Sequence, residues 1–270
     1  METKKLFPLF LVLLLSCSEK DENPIIPVFT KPDCLPTVVT TGSIQSVFEY
    51  DPDRRIIKSY DGLTSYIKYE YSGDRLQKLT YYYDNDESKV LDIDEIQYNA
   101  RGLWTKHVRA MSDEEDIAEY DPSGNRTKVT LNKNGKTYRS YIFEYANGNL
   151  IKLSKTYHND DGSVSFTLFY SYEYDLSQEN TLAYFELYVQ RGYLIDRRLG
   201  QESTPSKNLL TKVHTHSSDG GPIERTGNFE YTFNAKGFPT NITVSGGDLN
   251  ADGVTDENDI AHFNYIYNCI

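Results

Sequence analysis

An all-β fold, an antiparallel meander of hairpins forming a strongly curved sheet or open barrel, follows from three features of this 270-residue sequence. Apolar and polar residues alternate with a period of two, which buries one face of a strand and wets the other. Clusters of Asp, Asn, Pro and Gly punctuate these runs and supply turn angles. The chain holds 23 tyrosines, a residue suited to a half-buried pleated surface where the ring packs and the hydroxyl stays wet. No long segment carries a sustained 3.6-residue period.

The first element is an export signal. Lys4 and Lys5 precede an apolar run over residues 6–15, broken only by Pro8, and Ser16 and Cys17 close it. This is the layout of a secretory signal. Ten apolar residues rise about 15 Å as a helix, whereas crossing a bilayer takes about 20 residues. Leu14, Leu15, Ser16 and Cys17 resemble the lipobox of bacterial lipoproteins, which implies cleavage before Cys17 and its acylation. An ordinary signal peptide with an incidental Cys17 is the other reading. Residues 1–16 are thus expected to be removed and residues 17–33 to form an acidic, proline-containing tether. Ser18, Glu19, Lys20, Asp21 and Glu22 resemble the export tag of Bacteroidota lipoproteins carried to the cell surface. That resemblance implies an outer-membrane lipoprotein exposed outside the cell, with a periplasm-facing one as the alternative. Several acyl chains hold a protein stably on a membrane, at about 0.8 kcal/mol per buried methylene.

Residues 34–270 are expected to form one β-repeat domain. The hairpins begin with Phe48-Glu49-Tyr50, a turn at Asp51-Pro52-Asp53 and a return through Ile56 and Lys58. Tyr69-Glu70-Tyr71, Ile96-Gln97-Tyr98, Ala118-Glu119-Tyr120, Phe143-Glu144-Tyr145 and Tyr172-Glu173-Tyr174 open further copies. Tyr231-Thr232-Phe233 opens another, turning at Asn234 to Gly237. Successive anchor tyrosines lie 21 to 29 residues apart, which suits two strands and two turns, and the total is roughly 12 to 16 strands. The layout resembles the tyrosine-aspartate (YD) repeats of Rhs-type proteins. With Cys17, Cys34, Ser206 to Leu210, Gly237 to Thr240 and a last Tyr265-Ile266-Tyr267-Asn268-Cys269 strand, the whole resembles Bacteroidota lipoproteins of unassigned function. The resemblance implies an architecture and no reaction.

Three cysteines are present. Giving Cys17 to lipid leaves Cys34 and Cys269 at the two ends of the domain, in an oxidising compartment if export is correct. A disulfide between them is expected, contributing roughly 4–5 kcal/mol in the chain-entropy account. Two free thiols are the alternative.

One ion site is legible. Asp248, Asn250, Asp252, the carbonyl of Val254, Asp256 and Asp259 stand at positions 1, 3, 5, 7, 9 and 12 of an EF-hand-like loop, with Gly253 at position 6. The loop resembles half a dockerin. Structural Ca2+ is one reading, and a solvated acidic turn is the other. The chain continues into a final strand, because Phe263, Tyr265 and Tyr267 alternate.

Signals for catalysis are poor. Five histidines are scattered, and His214 and His216 share one strand face without a third ligand to name. Asp113, Glu114, Glu115 and Asp116 read as a solvated loop tip. No nucleophile-elbow, zincin or phosphate-loop pattern occurs. The formal charge of −12 becomes −13 when Glu2, Lys4 and Lys5 leave with the signal. Such a chain is not expected to bind nucleic acid. The leading expectation is a non-enzymatic cell-envelope module that binds a glycan or protein ligand or acts as a scaffold, with no catalytic residues to name. A glycan-directed hydrolase and a carrier of an apolar ligand in the curved sheet are the alternatives.

Overall fold

The computed structural model describes residues 32–61, 65–84, 86–182, 206–216, 220–221, 223–246 and 260–269. They build sixteen strands: β1 (Cys34–Thr41), β2 (Ile44–Tyr50), β3 (Ile56–Asp61), β4 (Ser65–Ser72), β5 (Arg75–Tyr83), β6 (Val90–Tyr98), β7 (Trp104–Arg109), β8 (Glu114–Tyr120), β9 (Arg126–Lys133), β10 (Lys136–Ala146), β11 (Asn149–His158), β12 (Val164–Glu179), β13 (Asn208–His216), β14 (Ile223–Phe233), β15 (Pro239–Ser245) and β16 (Ile260–Cys269). Each pairs antiparallel with the next in sequence. Pairing of β1 with β16 closes the sheet into a barrel. Cys34 and Cys269 lie opposite each other at this seam and are joined by a disulfide.

The hairpin repeat has a local cause. The ladder shifts register at each anchor position: at Tyr50, Tyr71, Tyr98, Tyr120, Tyr145, Tyr174 and Phe233. Such bulges bend a strand and sharpen its twist, and repeated around the sheet they favour closure over the open barrel expected. Beyond the bulge, four hairpins share a five-residue turn. The Asp or Asn that opens it accepts a hydrogen bond from the backbone N–H four residues on: Asp51 from Arg55, Asn99 from Leu103, Asp121 from Asn125 and Asn234 from Phe238. The fourth turn residue has positive φ, which Gly102, Gly124 and Gly237 adopt without strain.

Tyrosine hydroxyls then link one hairpin to its neighbour. Tyr71 donates to the Ile56 carbonyl, Tyr98 to Leu76, Tyr120 to Trp104, Tyr231 to Leu210 and Tyr267 to Pro239. Each accepting residue is the partner of the anchor at the preceding bulge, for example Ile56 opposite Tyr50 and Leu76 opposite Tyr71. Tyr50 continues the series across the seam by donating to Pro36, which faces Tyr267. These latches gather at the end of the barrel that carries the disulfide.

Inward residues form a continuous apolar core, with Val39, Ile56, Leu79, Leu150 and Leu153 almost fully buried. Each such aliphatic side chain contributes about 1.5–3 kcal/mol. The outer wall carries cross-strand charge pairs among exposed apolar side chains such as Ile117 and Ile142. Glu70 pairs with Lys78, Glu119 with Lys128, Glu144 with Lys152 and Glu173 with Lys212. In each pair the two residues sit directly opposite on neighbouring strands, and Glu49 faces Lys58 in the same way. The middle residue of each Tyr-Glu-Tyr motif therefore points outward to a lysine on the return strand.

Candidate functional site

The barrel interior changes character toward the end away from the disulfide. There β6, β7 and β8 bring together groups that the sequence separates. His107 is fully buried, with Nε2 2.7 Å from Asp94 Oδ2 and Nδ1 3.0 Å from Asp116 Oδ2. Nδ1 is hydrogen-bonded to Asp116, and Nε2 faces the Asp94 carboxylate. Tyr81 donates to Asp94 from β5 at 2.9 Å. Arg109 donates to Glu114 at 2.6 Å, and Lys133 reaches the other Glu114 oxygen at 2.9 Å. Burial opposes the Glu114 charge, but Lys133 and Arg109 prevail and hold its carboxyl below the usual range. Burial pushes the Tyr138 phenol up, and the charges of Glu114 and Asp116 add to that effect.

The four acidic residues read as a loop tip are therefore divided by strand alternation. Glu114 and Asp116 point inward, whereas Glu115 points outward to Lys106. The signal was present in the hairpin register. A turn at residues 110–113 places Arg109 opposite Glu114 and His107 opposite Asp116.

Next along the inner wall lies a cationic and aromatic surface on β10, β11 and β12. The Arg139 guanidinium stacks over Tyr157 at 4.7 Å and donates to the Tyr141 hydroxyl. Lys155 Nζ sits 5.5 Å from the ring centres of both Tyr141 and Tyr157. Tyr157 stacks on Phe166, its direct cross-strand partner, at 4.3 Å. Phe166 shares the face of Tyr157 but lies at the rim, beyond the last described β12–β13 pair at Phe169, and is 46% exposed.

At the latch end, Tyr174, Ser206, Asn208, Leu210, Phe229 and Ile242 help to line a cavity of about 40 Å³. That volume holds one or a few waters and is too small for an acyl chain. The apolar-carrier reading has no support in this cavity.

Cys17 and the residues of the expected calcium loop, Asp248 to Asp259, lie outside the described residues. The strand ends that flank the loop, Ser245 and Ile260, are paired at the end away from the disulfide. His214 and His216 point outward with separate partners: His214 contacts Thr226 and Glu173, and His216 contacts Ser171 and the Gly221 carbonyl. Trp104 is half-buried beneath the Arg126 guanidinium, a packing role. Among the described residues, no group of three His, Cys, Asp or Glu side chains converges as metal ligands.

No family model and no curated protein matches the chain. Solved structures do. A porin-like protein from Bacteroides uniformis aligns with a TM-score of 0.54 at 12% identity, over 86% of this chain and 96% of that one. A porin-like protein from Bacteroides vulgatus aligns at 0.51 and 14% identity, over 87% and 99%. At this identity the likeness is one of fold. The chain shares with these proteins an all-β barrel, and nothing in that likeness makes it an enzyme.

Proposed function

We propose that the protein is a non-enzymatic envelope lipoprotein whose barrel stands in water on a lipid tether and offers its open interior to a ligand. The carrying observation is the difference between the two ends. One end bears the start of the domain, the disulfide and the latches. The other bears charged and aromatic inner-wall residues, with Phe166 exposed beside them. Acylation at Cys17 joins the first end to the membrane through residues 17–33, which lets the second face away.

The outer wall supports water rather than lipid as its surroundings. A lysine on the lipid face of a membrane barrel costs about 2–4 kcal/mol at the bilayer midplane. Here Lys78, Lys128, Lys152 and Lys212 all stand on the outer face, each beside a glutamate. The barrel is read as peripheral to the bilayer, unlike a pore.

Binding is favoured over glycan hydrolysis because the inner carboxylates are committed. Asp94 and Asp116 are tied to His107, and Glu114 to Arg109 and Lys133. Both His107 nitrogens face carboxylates, so neither is left to activate a nucleophile. The same reading retains Ca2+ at residues 248–259 as a brace between β15 and β16, tested by a melting point that rises with calcium and falls with chelator.

Intact mass and membrane fractionation test the tether. Mature protein beginning at an acylated Cys17 and found with membranes, together with a soluble Cys17→Ser variant, is the expected result. A Cys17→Ser variant that stays with membranes overturns the proposal.

A further inference from the structure

The inner wall of β10–β12 holds a cation that no carboxylate of the described residues pairs with. The chain is strongly acidic, with 40 Asp and Glu against 28 Lys and Arg. The inner carboxylates of β6–β8 are matched by His107, Arg109 and Lys133. Lys155 points inward from β11, and its contacts among the described residues are the faces of Tyr141 and Tyr157. Lys155 is partly buried, and two ring faces at 5.5 Å supply it with cation–π attraction. Beside it stand the Arg139 guanidinium and the phenols of Tyr141 and Tyr157, a set of donors on one wall. Phe166 continues that wall as a flat apolar surface open to solvent.

We infer that this wall binds a carboxylated sugar: the carboxylate meets Lys155 and Arg139, and the apolar face of the sugar ring lies on Phe166. The charge selects an anion, because no acidic side chain of the described residues competes for Lys155. The exposed ring selects a ligand with a flat apolar face next to its charge, and a free inorganic anion lacks that face. Alternating apolar and hydroxyl-bearing surfaces of a sugar also suit a wall that is half aromatic and half hydrogen-bonding. The inference rests on the ligand-binding reading above and names its ligand class.

The test is calorimetric titration of the full acylated protein in detergent with trigalacturonate, with neutral galactotriose and with inorganic sulfate. Saturable binding of trigalacturonate is expected, at least tenfold tighter than either control. Lys155→Met and Phe166→Ala should each weaken it by tenfold or more, and rising salt should weaken the wild type more steeply than Lys155→Met, which keeps only Arg139. Lys155→Met removes no ion pair and should melt close to the wild type, whereas Phe166→Ala loses the stack on Tyr157 and should melt lower while staying folded. Absence of saturable binding, equal affinity for galactotriose or sulfate, or unchanged affinity in Lys155→Met overturns the inference. Tether retention measured on the same preparation separates this failure from failure of the envelope reading.

Discussion

The latch tyrosines make the sharpest stability prediction. In Tyr98→Phe, the hydroxyl that donates 2.6 Å to the Leu76 carbonyl is lost, while the ring and its contact with Arg75 remain. Leu76 lies opposite Tyr71 at a bulge, where the ladder supplies no regular partner. An intramolecular hydrogen bond contributes about 0.5–1.5 kcal/mol net, and stranding a fully buried acceptor costs about 1–3 kcal/mol. The bond is part-buried, so the expected loss is about 1–1.5 kcal/mol. For a domain of this size each kcal/mol moves Tm by roughly 2–4 °C, giving a fall of about 2–6 °C. Urea unfolding at constant m-value reads the same quantity as a shift in midpoint. Tyr83→Phe is the control, since Tyr83 is an exposed tyrosine at the opposite end of its strand. Tyr98 and Tyr267 lie far apart around the barrel, so Tyr98→Phe combined with Tyr267→Phe should be nearly additive. A Tyr98→Phe loss below about 0.3 kcal/mol, or one equal to that of Tyr83→Phe, would refute the latch.

Four further outcomes follow from the geometry. Replacing Cys34 and Cys269 by serine opens a link spanning 235 residues; the chain-entropy account gives a loss of roughly 5 kcal/mol, read by urea unfolding. His107→Leu leaves Asp94 buried beside an apolar side chain and should cost about 3–5 kcal/mol, well above a conservative change on the outer wall. Glu114 is held below its ordinary value of 4.5 in the fold. Its contribution is therefore fully present above about pH 4.5 and lost as pH falls through the lower native value; Glu114→Gln should flatten that acid limb of the midpoint–pH curve. Gly246→Ala places a Cβ 2.5 Å from the Thr226 carbonyl at φ +77, and a Tm fall equivalent to about 1–3 kcal/mol is expected.

Much of this architecture is written locally and could be read from the chain. Tyr-Glu-Tyr followed by an Asx turn predicts a hairpin, and the strand pairs opened at Tyr50, Tyr71, Tyr120 and Tyr145 are present in register; the connection after Tyr174 runs through residues outside those described. The last strand and the disulfide also stand as expected. Closure was harder to see, because the meeting of β1 with β16 depends on curvature accumulated over sixteen strands. The latches were hidden for a related reason: a tyrosine's donor role depends on which carbonyl the neighbouring bulge releases. The interior cluster was misread because four consecutive acidic residues resemble a wet turn. Counting outward from residues 110–113 would have set Asp116 against His107. Asp94 required a second register, that of β6 with β7. Lys155 and Phe166 carry no motif at all, and their meaning comes from facing inward beside Tyr157.

The central claim is that charged residues on the outside of this barrel face water. Single cysteines in place of Lys128 and Lys152, one at a time, can be treated with a hydrophilic maleimide in isolated membranes that carry the acylated protein. Reaction at the rate of a free exposed thiol, unchanged when detergent is added, is the predicted result. Protection of both positions until detergent dissolves the bilayer would contradict it and place the wall in lipid.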